Sequence, residues 1–313
     1  MSTTHPKPLS GGVPCAHVGD ETAVALCSDW DQELAARTVR LAQLVGRANE
    51  LVNEAIAEHF TGHRVAAIAI LFSGGNDSTT LAHLMRHQAT HAIHANTGIG
   101  IEETRQFVRD TCAMWGLPLI EKHPPVSYRE LVLERGFPGP AMHWKMYQRL
   151  KERCLRQAQR ELVSNPRKER VIFLAGRRRD ESVRRANVPL IERIGSAVWV
   201  SPIAEWTAED LRTYRIVNKS VPRNRVADTI HMSGECLCGC FAKPAELDEI
   251  GYWFPGARAE IEALEAAIAA RSDIPDERKR WGWGVNRERP SRSGAMCSSC
   301  SAMQLPFGEV EAS

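Results

Sequence analysis

No apolar run in this chain is long enough to cross a bilayer, so it is not expected to span a membrane. Met1 to Gly12 lacks the apolar core that a signal peptide needs, which makes the cytoplasm the expected compartment. Charge of one sign is not in excess. Forty basic residues against 38 acidic ones leave +2 at neutral pH, so net charge alone does not argue for nucleic acid. No G-x-x-x-x-G-K-[ST] string occurs, which excludes a Walker-type phosphate loop. Cysteine is not scarce: there are nine in 313 residues. In a reducing compartment a disulfide framework is not expected, and clustered cysteines read as metal or sulfur chemistry. A 43% hydrophobic and 25% charged composition is that of a globular chain with one large or two modest domains.

The stretch that organises the rest is Leu71-Phe72-Ser73-Gly74-Gly75-Asn76-Asp77-Ser78-Thr79-Thr80. It follows the β-branched run Val65 to Leu71 and precedes Leu81, Leu84 and Met85 at helical spacing, so it is expected in a turn between a buried strand and a helix. Gly74 and Gly75 let the backbone curl and a phosphate approach it closely. The N–H groups then form an anion nest at the positive end of a helix. Ser73, Ser78 and Thr79 add hydroxyls. Asp77 would repel phosphate unless a cation lay between them, which makes it a candidate Mg²⁺ ligand. The plainer alternative is a glycine turn with Asp77 capping the helix.

Further elements follow at a strand–helix rhythm. His91 to Ala95 and Leu117 to Glu121 read as strands, with a helix from Glu102 to about Trp115 between them. That rhythm predicts an α/β fold with a doubly wound parallel sheet, binding its ligand beyond the carboxyl ends of the strands. Asn96-Thr97-Gly98 closes the second strand on the same rim. A helical insertion is expected from Pro124, with a helix from about Ala141 to Leu162 whose basic face is either solvated charge or an anion site for a second substrate, His143, Lys145 and Lys151 being the candidates. Val171 to Ala175 is another buried strand, leading into Gly176-Arg177-Arg178-Arg179-Asp180-Glu181-Ser182-Val183-Arg184-Arg185. Arginines at a strand's carboxyl end can hold phosphate or sulfate oxygens bidentately, with Glu181 fixing one of them. The same basic run could contact the backbone phosphates of a nucleic-acid acceptor. Ala23 to Leu26 suggests a short strand. The expected division is a flexible leader over 1–28, a nucleotide-binding domain over 29–220 and a cysteine-rich, metal-binding region over 221–313.

In that last region Cys236-Leu237-Cys238-Gly239-Cys240 is followed about sixty residues later by Cys297-Ser298-Ser299-Cys300. A close set plus a distant C-x-x-C suits a four-thiolate site, where two segments converge on one metal. Cys236, Cys238, Cys297 and Cys300 are the expected ligands, with Cys240 the alternative. Four thiolates suit Zn²⁺ and a [4Fe–4S] cluster equally.

The S-G-G-x-D-S string resembles the pyrophosphate loop of the ATP-pyrophosphatase superfamily. With Asn96-Thr97-Gly98 and the G-x-R-x-x-E-S-x-x-R pattern of Gly176 to Arg185, it resembles the phosphoadenylyl-sulfate reductase-like family over about half the chain. The resemblance implies a five-stranded adenine nucleotide alpha hydrolase-like sheet. It implies ATP and Mg²⁺ at Ser73, Gly74, Gly75, Asp77, Ser78, Thr79, Thr97, Gly98, Gly176, Arg178 and Glu181. Asp77 and Arg178 would be catalytic, and His143, Lys145, Lys151 and Arg185 would hold the second substrate. It tips the metal toward [4Fe–4S]. The reaction implied is cleavage of ATP between its α- and β-phosphates, with AMP passed to an acceptor and sulfur transfer to follow. A cysteine desulfurase or other sulfur donor, and a second copy of the chain, are the further expected partners. Two departures stand out: Asn76 where members often have Lys, and a tail without the Glu-Cys-Gly-His ending of sulfonucleotide reductases. A sulfonucleotide reductase, or a non-catalytic nucleotide-binding subunit with structural zinc, are the alternatives.

Overall fold

The computed structural model describes residues 20–285. Its centre is a six-stranded sheet in the order β3-β2-β1-β4-β6-β5. The strands are β1 (Arg64–Leu71), β2 (His91–Ala95), β3 (Leu119–Lys122), β4 (Glu169–Ala175), β5 (Ile191–Ile194) and β6 (Ala197–Val200). All pairings are parallel except β5 with β6. The five parallel strands match the expected sheet. The sixth, antiparallel edge strand is an addition, made by the tight turn through Gly195 at φ +61°. Strand order reverses between β1 and β4, whose ends are in register at Leu71 and Ala175. That is the switch point at which an open α/β sheet leaves a crevice for ligand.

Alternation along the strands divides the core between the two faces. Ile70 in β1 and Ile172 and Leu174 in β4 face one side, against α1 (Asp20–His59), α2 (Asn76–Met85), α3 (Glu102–Met114) and α7 (Ala208–Val217). Ala67, Ala69, Val171 and Phe173 face the other, against α6 (Arg153–Leu162). The thiol-rich segment packs into a third cluster with Ile99, Ile101, Phe137 and Met146 and with α4 (Tyr128–Arg135), α9 (Glu246–Trp253) and α10 (Pro255–Ile268). The apolar side chains after residue 220 therefore share a core with residues that precede it in the chain.

Two sequence expectations need correction. Ala23 to Leu26 is helical, because α1 already begins at Asp20. The single helix expected from Ala141 to Leu162 is interrupted. It runs as a 3₁₀ turn, then α5 (His143–Tyr147), a π-helical turn (Gln148–Glu152) and α6. Among the described residues no helix is long and apolar enough to cross a membrane.

Candidate active site

The loop after β1 has the conformation its residues demand. Gly74 sits at φ +79°, and a Cβ there would lie 2.9 Å from Thr104 Cγ2, so only glycine fits. Its carbonyl accepts a hydrogen bond from Asn224 Nδ2 at 2.9 Å, and the same amide donates to Thr104 Oγ1 at 3.1 Å. Gly75 caps α2 with no side-chain bond to the helix's first N–H groups. Those donors are available to an anion, and the helix dipole favours one there. Ser78 Oγ donates to the Gly75 carbonyl at 3.0 Å and lies 3.0 Å from Ser73 Oγ. Gly176, after β4, passes so close that a Cβ would sit 3.2 Å from the Ser78 backbone. The two strand ends thus meet around α2's first turn.

A cavity of about 660 Å³ opens here, lined by Ser73, Gly75, Asn76, Asp77, Ser78 and Gly176 on one side. Arg177, Arg178, Glu181 and Arg185 form the second wall, and Tyr147, Lys151, Ser233, Glu235 and Cys236 the third. The volume suits a nucleotide-sized ligand. Arg178 Nε donates to Asp77 Oδ2 at 3.1 Å, and Arg178 Nη1 reaches the Trp206 carbonyl at 3.4 Å. Burial pushes the Asp77 carboxyl up, against the opposing pull of Arg178. Glu181 accepts from the Arg178 backbone N–H at 3.2 Å and pairs with Arg185. Burial lowers the Arg185 guanidinium to about 10. Arg177 is buried with its guanidinium 5.4 Å from the Trp199 ring centre. Lys151 Nζ donates to Glu235 Oε2 at 3.1 Å. Burial disfavours that ammonium, but the facing carboxylate outweighs it and raises Lys151 above its ordinary value.

The expected residues divide into two groups. Ser73, Gly75, Asp77, Ser78, Gly176, Arg178, Glu181, Lys151 and Arg185 line the cavity, and Gly74 shapes its loop. Thr79 is buried in α2 and does not line it. Thr97 is buried and donates to the Ile99 and Glu235 carbonyls at 3.1 and 2.9 Å, so it ties two segments together and does not face the cavity. Gly98 is on the surface, its N–H bonded to Asn96 Oδ1. His143 is buried against Phe241 and Lys145 lies over Trp144 outside the cavity. Lys145 does not join Lys151, because the cavity-facing positions of this segment are Tyr147, Lys151 and Leu155 at four-residue spacing and Lys145 falls on the opposite side; His143, although four residues before Tyr147, packs against Phe241 and does not line the cavity. The basic run divides likewise: Arg177, Arg178 and Arg185 are buried at the cavity, whereas Arg184 is exposed.

Cys236 lines the cavity, and Cys238 and Cys240 are buried beside it. Cys297 and Cys300 lie outside the described residues. Among the described residues no three His, Cys, Asp or Glu side chains gather as a metal site. Sequence reasoning missed Tyr147, Glu235 and Asn224, which belong to no motif. It also missed Arg215, which donates to Asn76 Oδ1 from α7. The vacancy left by a missing loop lysine was the one signal that could have pointed to a cation brought from elsewhere.

The family model of the phosphoadenosine phosphosulfate reductase domain matches residues 67–233, just over half the chain. Adenosine 5'-phosphosulfate reductase from Mesorhizobium japonicum is 26% identical over 271 residues, 83% of this chain and 97% of that protein. The enzyme of the same name from a Chelativorans strain is 25% identical, covering 74% of this chain and 95% of its own. Among solved structures, phosphoadenylyl-sulfate reductase from Candida auris aligns with a TM-score of 0.41 at 18% identity, over 60% of this chain and 89% of that one.

Proposed function

This chain belongs to the phosphoadenosine phosphosulfate reductase domain family, and on that premise we propose that it is an ATP-dependent adenylating enzyme acting in sulfur transfer. The observation that carries the reading is the meeting of an intact Ser73–Ser78 loop, on the uncapped end of α2, with Arg178, Arg185 and Lys151 across one cavity. A nest facing several cations suits a triphosphate better than a single phosphate ester. Arg215, held at Asn76, brings positive charge to the loop that an asparagine cannot supply.

In this reading ATP lies with its β- and γ-phosphates on the Gly74–Ser78 backbone and its α-phosphate toward Arg178 and Arg185. An acceptor oxygen attacks the α-phosphorus. The new O–P bond forms as the bridge to the β-phosphate breaks, and pyrophosphate leaves with the bonding pair. The guanidiniums and the α2 N–H groups meet the charge that develops on the equatorial and leaving oxygens. The Asp77 carboxylate, beside the Ser73 and Ser78 hydroxyls, offers hard oxygen ligands that fit Mg²⁺. When bound, that ion neutralises phosphate charge and polarises the scissile bond. A persulfide from a cysteine desulfurase, or sulfide from another donor, then attacks the acceptor atom that carries the adenylated oxygen. The bond to sulfur forms as the bond to that oxygen breaks, and AMP leaves with the bonding pair. In the persulfide case a thiol reductant cleaves the remaining S–S bond. Cys236 and Cys238, with Cys240 the alternative, would supply half of a four-thiolate [4Fe–4S] or zinc site, completed by Cys297 and Cys300.

A second reading, adenosine 5'-phosphosulfate reduction, is favoured by the name of the relatives that align over most of the chain. One set of assays separates the two. Anaerobically purified protein is given ATP, Mg²⁺ and candidate acceptors, or adenylyl sulfate and a dithiol, with metal analysis alongside. Pyrophosphate from the first mixture supports adenylation, and sulfite from the second supports reduction. Sulfite without pyrophosphate would overturn the first reading. About four irons per chain, or one zinc, would decide the metal.

A further inference from the structure

The helical segment that turns Tyr147 and Lys151 into the cavity carries a different surface on its outer side. Lys145, Arg149, Arg153 and Arg156 line a separate groove of about 370 Å³, with Trp144 at one end. The cations recur every three or four residues, so they form one stripe along α5, the π-helical turn and α6. Glu152 is the one acid lining this groove, and it is paired to Arg156. Among the described residues neither the Arg149 nor the Arg153 guanidinium has an ion-pair or hydrogen-bond partner. Trp144 is 38% exposed, unusual for so large a ring, and the Lys145 ammonium lies 5.5 Å from its centre.

This arrangement is costly without a partner. Like charges three or four residues apart on a helix repel, and a stripe of them destabilises the helix that carries it. Exposed helices ordinarily interleave acids, as α10 does at Arg258 and Glu262. Here the buried side of the segment is ordinary core, with Met146, Leu150, Cys154 and Ala158. The outer side is therefore not dictated by packing.

We propose that this groove binds a single-stranded nucleic acid, with Arg149, Arg153 and Lys145 on successive backbone phosphates and Trp144 as a platform for one base. Cations at a spacing of about 6 Å along a helix match a polyanion with regularly repeated charge. An acidic polypeptide would satisfy the charge but has no planar group for the exposed indole. A duplex hides its base faces. An aromatic ring beside a basic track is the combination that suits unstacked bases. Docking does not depend on the cavity's chemistry. Its further meaning, that the bound strand is the acceptor of the proposed adenylation, rests on that reading.

The test is fluorescence anisotropy of a labelled 12-nucleotide strand, as RNA and as DNA, with the full chain and no ATP, in 50 to 200 mM KCl. A dissociation constant on the order of 1–100 μM at the lowest salt is expected, with log K falling against log[KCl] at a slope of about −2 for three phosphate contacts. The R149E/R153E double variant should lose at least about tenfold in affinity and flatten the slope by about 1.4. W144A should weaken binding about tenfold and leave the slope unchanged. R149Q/R153Q provides the milder pair should charge reversal disturb the fold, as judged by circular dichroism. The stronger of the RNA and DNA arms identifies the strand. Absence of binding at 50 mM KCl, or binding by both arginine variants as tight as that of the unaltered chain, would overturn the proposal. So would polyglutamate binding as tightly as the strand with W144A unaffected, which would make this a site for acidic protein. Because no ATP is present, failure here leaves the adenylation reading standing, and the converse holds.

Discussion

Asp77 is held between two opposing effects. Burial works against its charge, and Arg178 at 3.1 Å works for it. Removing one member of such a pair leaves the other uncompensated, so the informative change keeps the shape. Asp77→Asn retains an oxygen for Arg178 Nε and loses the anion that would hold Mg²⁺. Pyrophosphate release should drop by about 100-fold or more while the chain still folds cooperatively, at a lowered melting temperature because the buried Arg178 loses its nearer anion and keeps only Asp180 at 3.5 Å; unchanged turnover would take Asp77 out of the chemistry. Two histidines bear on stability. Burial, with nearby cations adding to it, holds His83 and His143 at about 4, down from 6.5. Both are neutral in the fold near pH 7, and the His83 nitrogens lie 2.9 and 3.0 Å from the Tyr214 and Ser220 hydroxyls. The unfolded chain takes up protons below about pH 6.5, whereas the folded chain resists until about 4. Their contribution is therefore complete above pH 6.5 and is lost as pH falls toward 4, by about 2 kcal/mol per histidine at pH 5. Urea midpoints measured from pH 7.5 to 5 should fall, and the H83Q/H143Q variant should show a shallower fall. Parallel curves would contradict the assignment.

At the scale of elements, two pieces of backbone do most to shape the site. One is the π-helical turn Gln148–Glu152, which carries Lys151 to the cavity and Arg149 to the outer groove. Such turns are costly within a helix and concentrate at functional sites. The other is the strap from His231 to Leu237. Thr104 Oγ1 donates to the Ser233 carbonyl at 2.6 Å, Ile101 N–H to the Gly234 carbonyl at 2.8 Å, and Leu237 N–H to the Ile99 carbonyl at 2.7 Å. Gly100 permits that approach, since a Cβ would lie 2.3 Å from the Glu235 carbonyl oxygen. The clash is with backbone, so no rotamer change relieves it. Gly100→Ala should destabilise the fold by about 1–3 kcal/mol and raise the KM for ATP as Ser233 and Glu235 are displaced. Gly46→Ala in α1, with nothing within 4 Å, is the control and should be neutral or stabilising. Equal effects from the two would show that the strap is not a wall of the site.

For the whole molecule, the third cluster joins the thiol-rich segment to residues 99–150. Trp281 is buried in it, donating through Nε1 to the Leu237 carbonyl at 2.7 Å and packed where any side chain at Gly239 would collide. Tyr128 OH donates to the Cys238 carbonyl at 2.9 Å from the other side. Trp281→Ala should therefore cost about 3–5 kcal/mol in urea denaturation. Pyrophosphate release should also fall, because Cys236 and Glu235 on the cavity wall share that segment. A loss below about 1 kcal/mol would mean the cluster does not hold the segment. No local pattern in the sequence marks this coupling. Cys238 and Leu237 are recognised there through their carbonyl oxygens, which every residue has.

The sequence alone determined the parts that lie within one strand–turn–helix unit. The Ser73–Ser78 loop, the parallel order of its neighbours and the arginine-bearing turn after β4 follow from residues adjacent in the chain, where glycine, strand and helix periodicity act locally. Tertiary structure decided which charges meet. Lys151 finds Glu235 across 84 residues, and Arg215 finds Asn76 across 139. The phase of an interrupted helix sends Lys151 inward and Lys145 outward. Helical phase and long-range pairing depend on how whole elements pack, and no short stretch of residues encodes that.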